Sequence, residues 1–469
     1  MTRPSLVAFA SSLCLFLVAC GPATQRATGG DGGSDACKVG EVQDCYDGQD
    51  GTKDVGPCHG GTRTCIEGGT FTQCMGEVVP VAEVCGDGID NNCSGSADEN
   101  VDLDGDGYTT CGGDCCDSTE CGDPKSVNPG AFDVPGDGVD NDCNGTIDDA
   151  QLLCDQGITS GTTNALDYAK AIDICQTATD ADKKWGVIDA KFTKADGTGA
   201  PDAKQHAVLK KYGSGVLPHG GVNLMLLSTG AAAGVGDPNF TATIDTAFGA
   251  SSAFPADFFA ANGHKLPNAP GCPDPDGTTA NDPVMLTLRV RVPTNANAFS
   301  LDTNFFSDEF PEYTCTPFND FFVVLLDSTY SGSPANPTDK NLAFYTAGTG
   351  MKYPVGVNLA SGNTGLFTEC VNGSIGCAEL GTGTITTCHE TTELTGTGLD
   401  KKAPSSCDAD SLMGGGTGWL TTSGNVVPGE IITIRIALWD TSDDALDSLA
   451  VIDNFKWLAM PSTPGTILQ

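Results

Sequence analysis

Two stretches in the second half of the chain alternate apolar and polar residues with the period of a β-strand, PVMLTLRVRVP (283–293) and IITIRIALW (431–439). One face of each carries only aliphatic residues: Val284, Leu286, Leu288, Val290, Val292, Ile432, Ile434, Ile436 and Leu438. This period predicts strands with one face in a core. FFVVLLDS (321–328) is a continuous apolar run and predicts a short strand covered on both faces.

A helical spacing precedes these strands. TTNALDYAKAIDICQ (162–176) predicts a short helix with Asn164 or Thr163 as its N-cap. The residues at i, i+4 and i+7 that would share its buried face are Tyr168, Ile172 and Cys175. A disulfide between Cys175 and Cys154 could hold this face in place.

The loops between the strand patterns are long and rich in Gly, Asn, Thr and Pro, and the 469 residues include 61 Gly and 26 Pro. This composition favours turns and strands over helical bundles. We therefore expect a mainly β protein, in which residues 151–460 form a jelly-roll-like β-sandwich with the short helix at its start. Residues 461–469 would be a C-terminal tail.

The N-terminus has one apolar run behind a single arginine. The run is too short to span a membrane comfortably and is typical of a signal peptide, here residues 1–20. It ends in LVAC (17–20), which resembles the bacterial lipobox, so Cys20 is predicted to be acylated; an ordinary secretory signal with a chance cysteine is the alternative. Residues 21–36 are typical of a flexible linker. We expect an exported lipoprotein, attached by lipid alone to the outer membrane or cell surface.

The chain has 22 cysteines, and removing Cys14 of the signal and Cys20 leaves 20. They form three even groups: twelve from Cys37 to Cys143, the pair Cys154 and Cys175, and six from Cys272 to Cys407. This predicts disulfides within each group, with a connectivity that stays open. The Cys-rich module 37–84 has few large apolar residues and would depend on disulfides. A metal-thiolate site is the alternative, although paired C-x-x-C elements are absent there.

Residues 85–150 are an acidic segment with an internal repeat. CGDGIDNNCSGSADE (85–99) aligns without gaps with PGDGVDNDCNGTIDD (135–149). The segment holds 17 acidic residues and one lysine. Mutual repulsion would favour disorder unless a cation were bound.

Between the two copies, DLDGDGY (102–108) places carboxylates at alternate positions, and Gly107 permits a sharp turn around one ion. The loop opens like an EF-hand, but Gly113 stands where that motif needs its glutamate. Hard oxygen ligands select calcium over copper or zinc. The predicted calcium ligands are Asp102, Asp104, Asp106, Tyr108 (through its carbonyl), Asp114, Asp117, Asp87, Asp90, Asn91, Asp98, Asp137, Asp140, Asn141 and Asp148. A solvated acidic loop without metal is the alternative.

The acidic segment resembles the repeat of MopE-type bacterial surface proteins. The resemblance rests on CGDGIDNNCSGSADE, DLDGDGY, DCCD and NPGAFD. Two positions depart from the pattern, because Cys116 stands where a carboxylate is usual and Pro135 where a cysteine is usual. The family name implies copper, but the oxygen-rich repeats favour calcium.

Most of residues 220–458 resembles the choice-of-anchor L domains of bacterial surface and secreted proteins. The matching elements are LSTG (227–230), FSDEFPEY (306–313), FNDFF (318–322) and LDSLAVIDNF (446–455). The resemblance implies a β-rich extracellular module. The acids of two elements could form a second cation or ligand site, or they could stabilise turns: Asp308, Glu309, Glu312 and Asp320.

Charge and motifs narrow the function. The formal charge of −38 argues against nucleic acid, which needs basic residues. HETTE (389–393) lacks the second histidine of a zinc-protease motif, and neither G-x-S-x-G nor a P-loop is present. The sequence favours a non-enzymatic surface lipoprotein whose calcium-binding repeats present a sandwich for adhesion or recognition of a glycan or protein. A surface hydrolase with its site in sandwich loops and a metal-scavenging protein are the alternatives.

Overall fold

The computed structural model describes residues 37–81, 83–117, 123–149, 152–241, 246–275, 277–376, 383–401 and 414–469. The predicted signal peptide, the lipidated Cys20 and the linker lie outside these ranges. The chain divides into two compact units, residues 1–98 and residues 99–469. The division falls inside the acidic segment, before the last residue of the first repeat copy.

The first unit contains a three-stranded antiparallel sheet of β1 (Val42–Cys45), β2 (Gly61–Ile66) and β3 (Thr70–Phe71). Three disulfides cross-link this unit: Cys37–Cys65, Cys45–Cys74 and Cys58–Cys93. The buried residues in the described part of 37–84 are all cysteines of these bonds. The module is therefore held by disulfides rather than by an apolar core. Its paired cysteines are not free to bind a metal.

The second unit contains the remaining strands and both α-helices of the described residues. The helices are α1 (Ala165–Ala171) and α2 (Ala256–Ala261), with single 3₁₀ turns at Thr110–Gly112, Pro124–Ser126 and Val357–Leu359. The strands are β4 (Gly186–Thr193), β5 (His206–Leu209), β6 (Leu224–Ser228), β7 (Ser251–Ser252), β8 (Ala280–Arg291), β9 (Ala298–Ser307), β10 (Phe321–Asp327), β11 (Phe344–Thr346), β12 (Lys352–Pro354), β13 (Gly373–Ile375), β14 (Gly383–Ile385), β15 (Gly415–Asn425), β16 (Ile431–Thr441), β17 (Ser448–Leu458) and β18 (Gly465–Leu468).

Two antiparallel sheets hold most of these strands. One has the order β10-β16-β8-β4, with β7 paired to β8, and the other has the order β18-β15-β9-β17-β6-β5. The chain crosses between the sheets from β8 to β9 to β10, and again from β15 to β16 to β17. Such crossing is typical of jelly-roll sandwiches. The prediction of a mainly β chain with a short helix before the sandwich is confirmed.

The main core lies between the two sheets and contains all nine alternating aliphatic residues predicted for it. Strand β10 is buried from Phe321 to Leu326, as its continuous apolar run predicts. Its even-numbered residues face the main core, whereas its odd-numbered residues pack with Phe258 and Trp439 in a second cluster. A third cluster covers the outer face of the other sheet around Phe306. Part of the outer face of each sheet is therefore covered as well.

Helix α1 is shorter than the predicted pattern. It begins after Asn164, whose side chain caps the first turn, and it ends at Ala171. Asp173 has a φ of +73°, a left-handed conformation that stops the helix. Cys175 consequently lies beyond the helix, yet it forms the disulfide with Cys154, whose Cα atom is 5.5 Å away.

Residues 461–469 are not a tail. Within them, β18 pairs antiparallel with β15 and forms one edge of the six-stranded sheet. The sequence-based expectation is wrong because four residues are too few to show a strand period, and the free edge of β15 supplies the pairing. Within the described residues, no helix has both the length and the apolar character needed to cross a membrane.

Candidate metal centre

In the second copy of the acidic repeat, carboxylates cap main-chain N–H groups. Asp140 accepts from the N–H groups of Asn144 and Gly145, at 3.1 and 2.9 Å. Asp148 accepts from the N–H group of Gly136 at 2.7 Å. Bonds of this type hold tight turns where neither helix nor sheet supplies partners for the backbone.

The first copy forms the same bonds. Asp90 accepts from the N–H groups of Ser94 and Gly95, both at 2.9 Å, and Asp98 accepts from that of Gly86 at 2.7 Å. Equivalent residues of the two sequence copies therefore form equivalent hydrogen bonds. All repeat side chains predicted as calcium ligands accept main-chain N–H groups: Asp87, Asp90, Asn91, Asp98, Asp137, Asp140, Asn141 and Asp148.

The DLDGDGY loop is curled by similar bonds. Asp102 accepts from the N–H groups of Gly105 and Gly107, at 2.6 and 3.0 Å. Asp106 accepts from the N–H group of Tyr108 at 2.7 Å. Because each carboxylate bonds forward along the chain, the loop wraps into a compact turn.

Two groups of three carboxylates meet in this loop, and Asp104 belongs to both. Oxygens of Asp102, Asp104 and Asp117 lie within 4.8 Å of one another, as do oxygens of Asp104, Asp106 and Asp114. The structure therefore brings together the three loop aspartates and the two nearby aspartates that the sequence proposed as closing ligands. Neither group contains a residue of the second repeat copy.

Burial makes this gathering of charge costly. Asp114 is 5% exposed, and the buried Oδ2 atoms of Asp104 and Asp114 have no hydrogen-bond partner. Burial first, and then the neighbouring aspartates, raises the pKa of Asp114 to about 6 and also raises the pKa of Asp104. A divalent cation would give these two oxygens a partner and offset the repulsion.

A third group lies in and beside the second repeat copy. Oxygens of Asp133, Asp140 and Asp142 lie within 4.8 Å of one another. Burial, and then the charge of Asp133, raises the pKa of Asp142. Sequence reasoning named Asp140 but missed the other two. The signal for both was position, because Asp142 lies beside Asn141 and Asp133 stands two residues before the second copy, as Glu83 does before the first.

The donor set favours a hard cation. Residues 85–149 contain no histidine. The described cysteines of this range are all in disulfides, including Cys115–Cys143. Oxygen is thus the ligand atom that the described groups offer, and oxygen ligands suit calcium rather than copper.

Tyr108 packs closely against the backbone at Gly130. Its side chain is buried, and its hydroxyl fills the space that a side chain at Gly130 would need, because a Cβ added there would lie 2.2 Å from it. Lys183 lies over its ring, with Nζ 5.4 Å from the centroid, and donates a hydrogen bond to the carbonyl of Gly107. This lysine partly offsets the negative charge of the loop.

The structure buries three of the four acids predicted for a second site. Asp308, Glu309 and Asp320 are buried, at 3%, 1% and 1% exposure. Glu312 is half-buried on the turn after β9, and no hydrogen bond or ion pair joins it to the other three among the described residues. Glu312 therefore falls outside the group.

An aromatic groove of about 400 Å³ lies in the second unit, between residues of the second repeat copy and one end of β17. The rings of Trp185 and Trp457 are 6.2 Å apart and nearly perpendicular. The indole N–H of Trp457 has no hydrogen-bond partner. Asp142 and Asp173 line the same groove, and burial, followed by the charge of Asp155, raises the pKa of Asp173 to about 7. Sequence reasoning missed this groove, because its residues are distant in the chain.

Comparison with known families identifies two modules. Residues 80–99 and 122–149 match a Cu-binding MopE-like metal-binding motif, and residues 223–454 match the Choice-of-anchor L domain. The chain carries them in that order, as the sequence resemblance implied, and this pair of modules is that of an exported or cell-surface protein with a metal-binding segment. No curated protein and no solved structure matches the chain significantly.

Proposed function

We propose that the protein is a non-enzymatic surface lipoprotein that binds calcium in its acidic segment and a glycan in its aromatic groove. The groove is the observation that carries the recognition role. Trp185 and Trp457 offer apolar ring surface, and Asp142 and Asp173 offer hydrogen-bonding groups beside it. Sugar rings present C–H faces and hydroxyls side by side, which fits such a lining.

Calcium is supported by the carboxylate groups around Asp104. Two buried oxygens without partners and an all-oxygen donor set match a hard divalent ion. Bound to the folded form only, the ion would stabilise it by about 2.7 kcal/mol at a hundredfold excess over Kd. Extracellular calcium sites typically have a Kd of roughly 10⁻⁴–10⁻³ M.

Calorimetry of the purified protein tests the calcium site. We expect millimolar calcium to release heat and to raise the melting temperature. Asp104→Ala and Asp106→Ala should remove the part of this effect that comes from the loop. Asp123→Ala is the matched control, because Asp123 accepts a hydrogen bond from the Ser126 hydroxyl and lies outside the three groups. The proposal would be contradicted if calcium binding released no heat while copper binding released heat that these substitutions did not remove.

Glycan arrays test the groove. Trp185→Ala should weaken binding to the preferred glycan tenfold or more, whereas Trp419→Ala, which removes a half-buried indole outside the groove, should leave binding unchanged. Equal binding by wild type and Trp185→Ala would exclude the groove. A protein captured in a pull-down with no glycan signal would favour the alternative ligand class.

The hydrolase alternative has one specific observation in its favour. The groove places two carboxyl groups of raised pKa, Asp142 and Asp173, beside aromatic rings, and such groups are candidates for acid and base roles. Chromatography of the bound glycan separates the two functions. An intact glycan supports binding, and cleavage products that Asp173→Asn no longer releases would support the hydrolase.

The lipid anchor is proposed from the LVAC sequence. Cys20→Ala should abolish labelling by a fatty-acid probe and leave an uncleaved or released protein. Labelling of the variant at the wild-type level would contradict it. Metal scavenging is the other alternative, in which the acidic repeats store ions rather than stiffen the segment.

A further inference from the structure

The four sequence elements that carry the choice-of-anchor resemblance meet at one buried place in the sandwich. The main-chain N–H of Ser448 donates to the hydroxyl of Thr229 at 2.9 Å, across 219 residues of chain. The hydroxyl of Ser448 donates to Asp320 at 2.6 Å. The N–H of Asp308 donates to the carbonyl of Asp447 at 3.1 Å. Elements that are far apart in the sequence therefore share one polar cluster.

Three carboxyl groups form the centre of this cluster. Glu309 follows β9, Asp320 precedes β10, and Asp440 lies in β16; they are 1%, 1% and 2% exposed. Asp320 lies within hydrogen-bonding distance of Asp440, and the Thr229 side chain also bonds Asp440. The cluster draws on both sheets of the sandwich.

Among the residues that the structure describes, no positive charge pairs with these carboxyl groups. None of the three forms a salt bridge with a described residue, and the charges that act most strongly on them come from other carboxylates, Asp443 and Asp447 among them. One buried oxygen of each has no hydrogen-bond partner: Glu309 Oε2, Asp320 Oδ1 and Asp440 Oδ1. Charges left uncompensated in the interior are strongly destabilising, so something must neutralise them.

We propose that Glu309, Asp320 and Asp440 hold a divalent cation of the calcium type inside the sandwich. The groups placed there offer oxygen donors: carboxylates, the hydroxyls of Thr229 and Ser448, and main-chain carbonyls. Oxygen-only sites favour hard cations. An ion at this place would tie the end of β9 in one sheet to β10 and β16 in the other.

The cluster is wider than the groups of the acidic segment. Among the described residues of the sandwich, no three carboxylates have oxygens within 4.8 Å of one another. An ion in the sandwich would therefore use fewer carboxylate ligands at once and complete its shell with hydroxyl and carbonyl oxygens. This site is independent of the calcium loop at Asp104.

Calcium counting in a suitable background tests the site. Asp104→Asn, Asp106→Asn and Asp142→Asn each replace a half-buried loop side chain, and together they disrupt the candidate groups within residues 99–149. After chelation and equilibrium dialysis against calcium, adding Asp320→Asn and Asp440→Asn should lower the bound calcium by one ion per chain. An unchanged count would overturn the proposal.

The sign of the stability change separates an ion from a merely structural role. In chelator, Asp320→Asn should raise the melting temperature, because it removes a buried repulsion; with calcium present, it should lower it. A decrease under both conditions would overturn the proposal.

Should the variant with all five substitutions fail to fold, hydrogen exchange on the background variant, which carries only three, still decides the question. Calcium should then increase amide protection in β10 and β16. No change there would mean that protons, not an ion, neutralise the cluster.

Discussion

In the acidic segment, the aspartates of the repeat lie mostly at the surface and accept main-chain N–H groups, whereas in the sandwich Asp320 and Asp440 are almost completely buried beside other carboxyl groups. The two regions also differ in what holds them together. Disulfides link the loops of the acidic segment and the Cys-rich module, while a continuous apolar core joins the two sheets.

This difference shows that burial, rather than the number of charges, decides what a carboxylate requires. At the surface, water screens repulsion and a carboxylate can serve as a turn cap. In the interior, the same group needs a proton, a partner or an ion. Three surface carboxylates can tolerate loss of a cation that three buried ones cannot.

Reduction of the disulfides should produce the largest effect and separate the two regions. The bonds of the first unit close loops of 28, 29 and 35 residues. Each such cross-link stabilises by about 3–4 kcal/mol in the chain-entropy account. Under reducing, non-denaturing conditions, limited proteolysis with mass spectrometry should show cuts within residues 37–149, while the sandwich stays resistant. Equal loss of both regions would contradict the comparison.

Truncation in the sandwich core should have the next largest effect. Phe322 is fully buried in the core between the sheets. Phe322→Ala should lower the free energy of unfolding of the sandwich by about 3–5 kcal/mol, because it leaves a cavity. Phe71→Ala, at a half-buried position in β3, should leave sandwich unfolding unchanged in denaturant titrations. A loss below about 1 kcal/mol at Phe322 would show that the core is not the main support.

Acid should weaken the sandwich through a buried histidine. Burial lowers the pKa of His206 to about 4, and its Nδ1 atom lies 2.6 Å from the Tyr168 hydroxyl. Because the folded pKa lies below the unfolded value of about 6.5, the unfolded chain takes up the proton first. The stability from neutral His206 is present above pH 6.5 and is lost as the pH falls towards 4.

His206→Gln isolates this contribution. Between pH 7 and pH 4.5, the variant should lose on the order of 2 kcal/mol less stability than the wild type. Buried acids with raised pKa, such as Asp453, act in the opposite direction but are common to both proteins. Denaturant titrations at several pH values measure the difference, and His59→Gln, an exposed position, is the control. Parallel pH profiles for wild type and His206→Gln would refute this assignment.

The smallest effects should come from removing the aspartates that cap the turns of the repeat, and the effects should be equal in the two copies. Asp90→Ala and Asp140→Ala each remove the acceptor of two main-chain N–H groups. Each should weaken its own turn by about 1–2 kcal/mol. Hydrogen exchange should accelerate at Ser94 and Gly95, or at Asn144 and Gly145, with little change elsewhere. A clear difference between the copies would show that the two turns share a geometry but do not depend equally on the aspartate for stability.

Local patterns in the sequence determined the strand faces, the disulfide dependence of the Cys-rich module and the gathering of the acids around Asp104. These features depend on neighbours in the chain, so period and spacing predict them. The end of α1 at Ala171 and the pairing of β18 were missed, because they depend on a left-handed residue and on a free sheet edge supplied from elsewhere.

Only the tertiary structure decided which distant residues meet. Trp185 meets Trp457, and Asp440 joins Glu309 and Asp320, through contacts between segments that are not adjacent in sequence. The sequence named Glu312 for the buried cluster and omitted Asp440. Sequence spacing sets local geometry, but burial, and with it the cost of a charge, is settled when the two sheets pack.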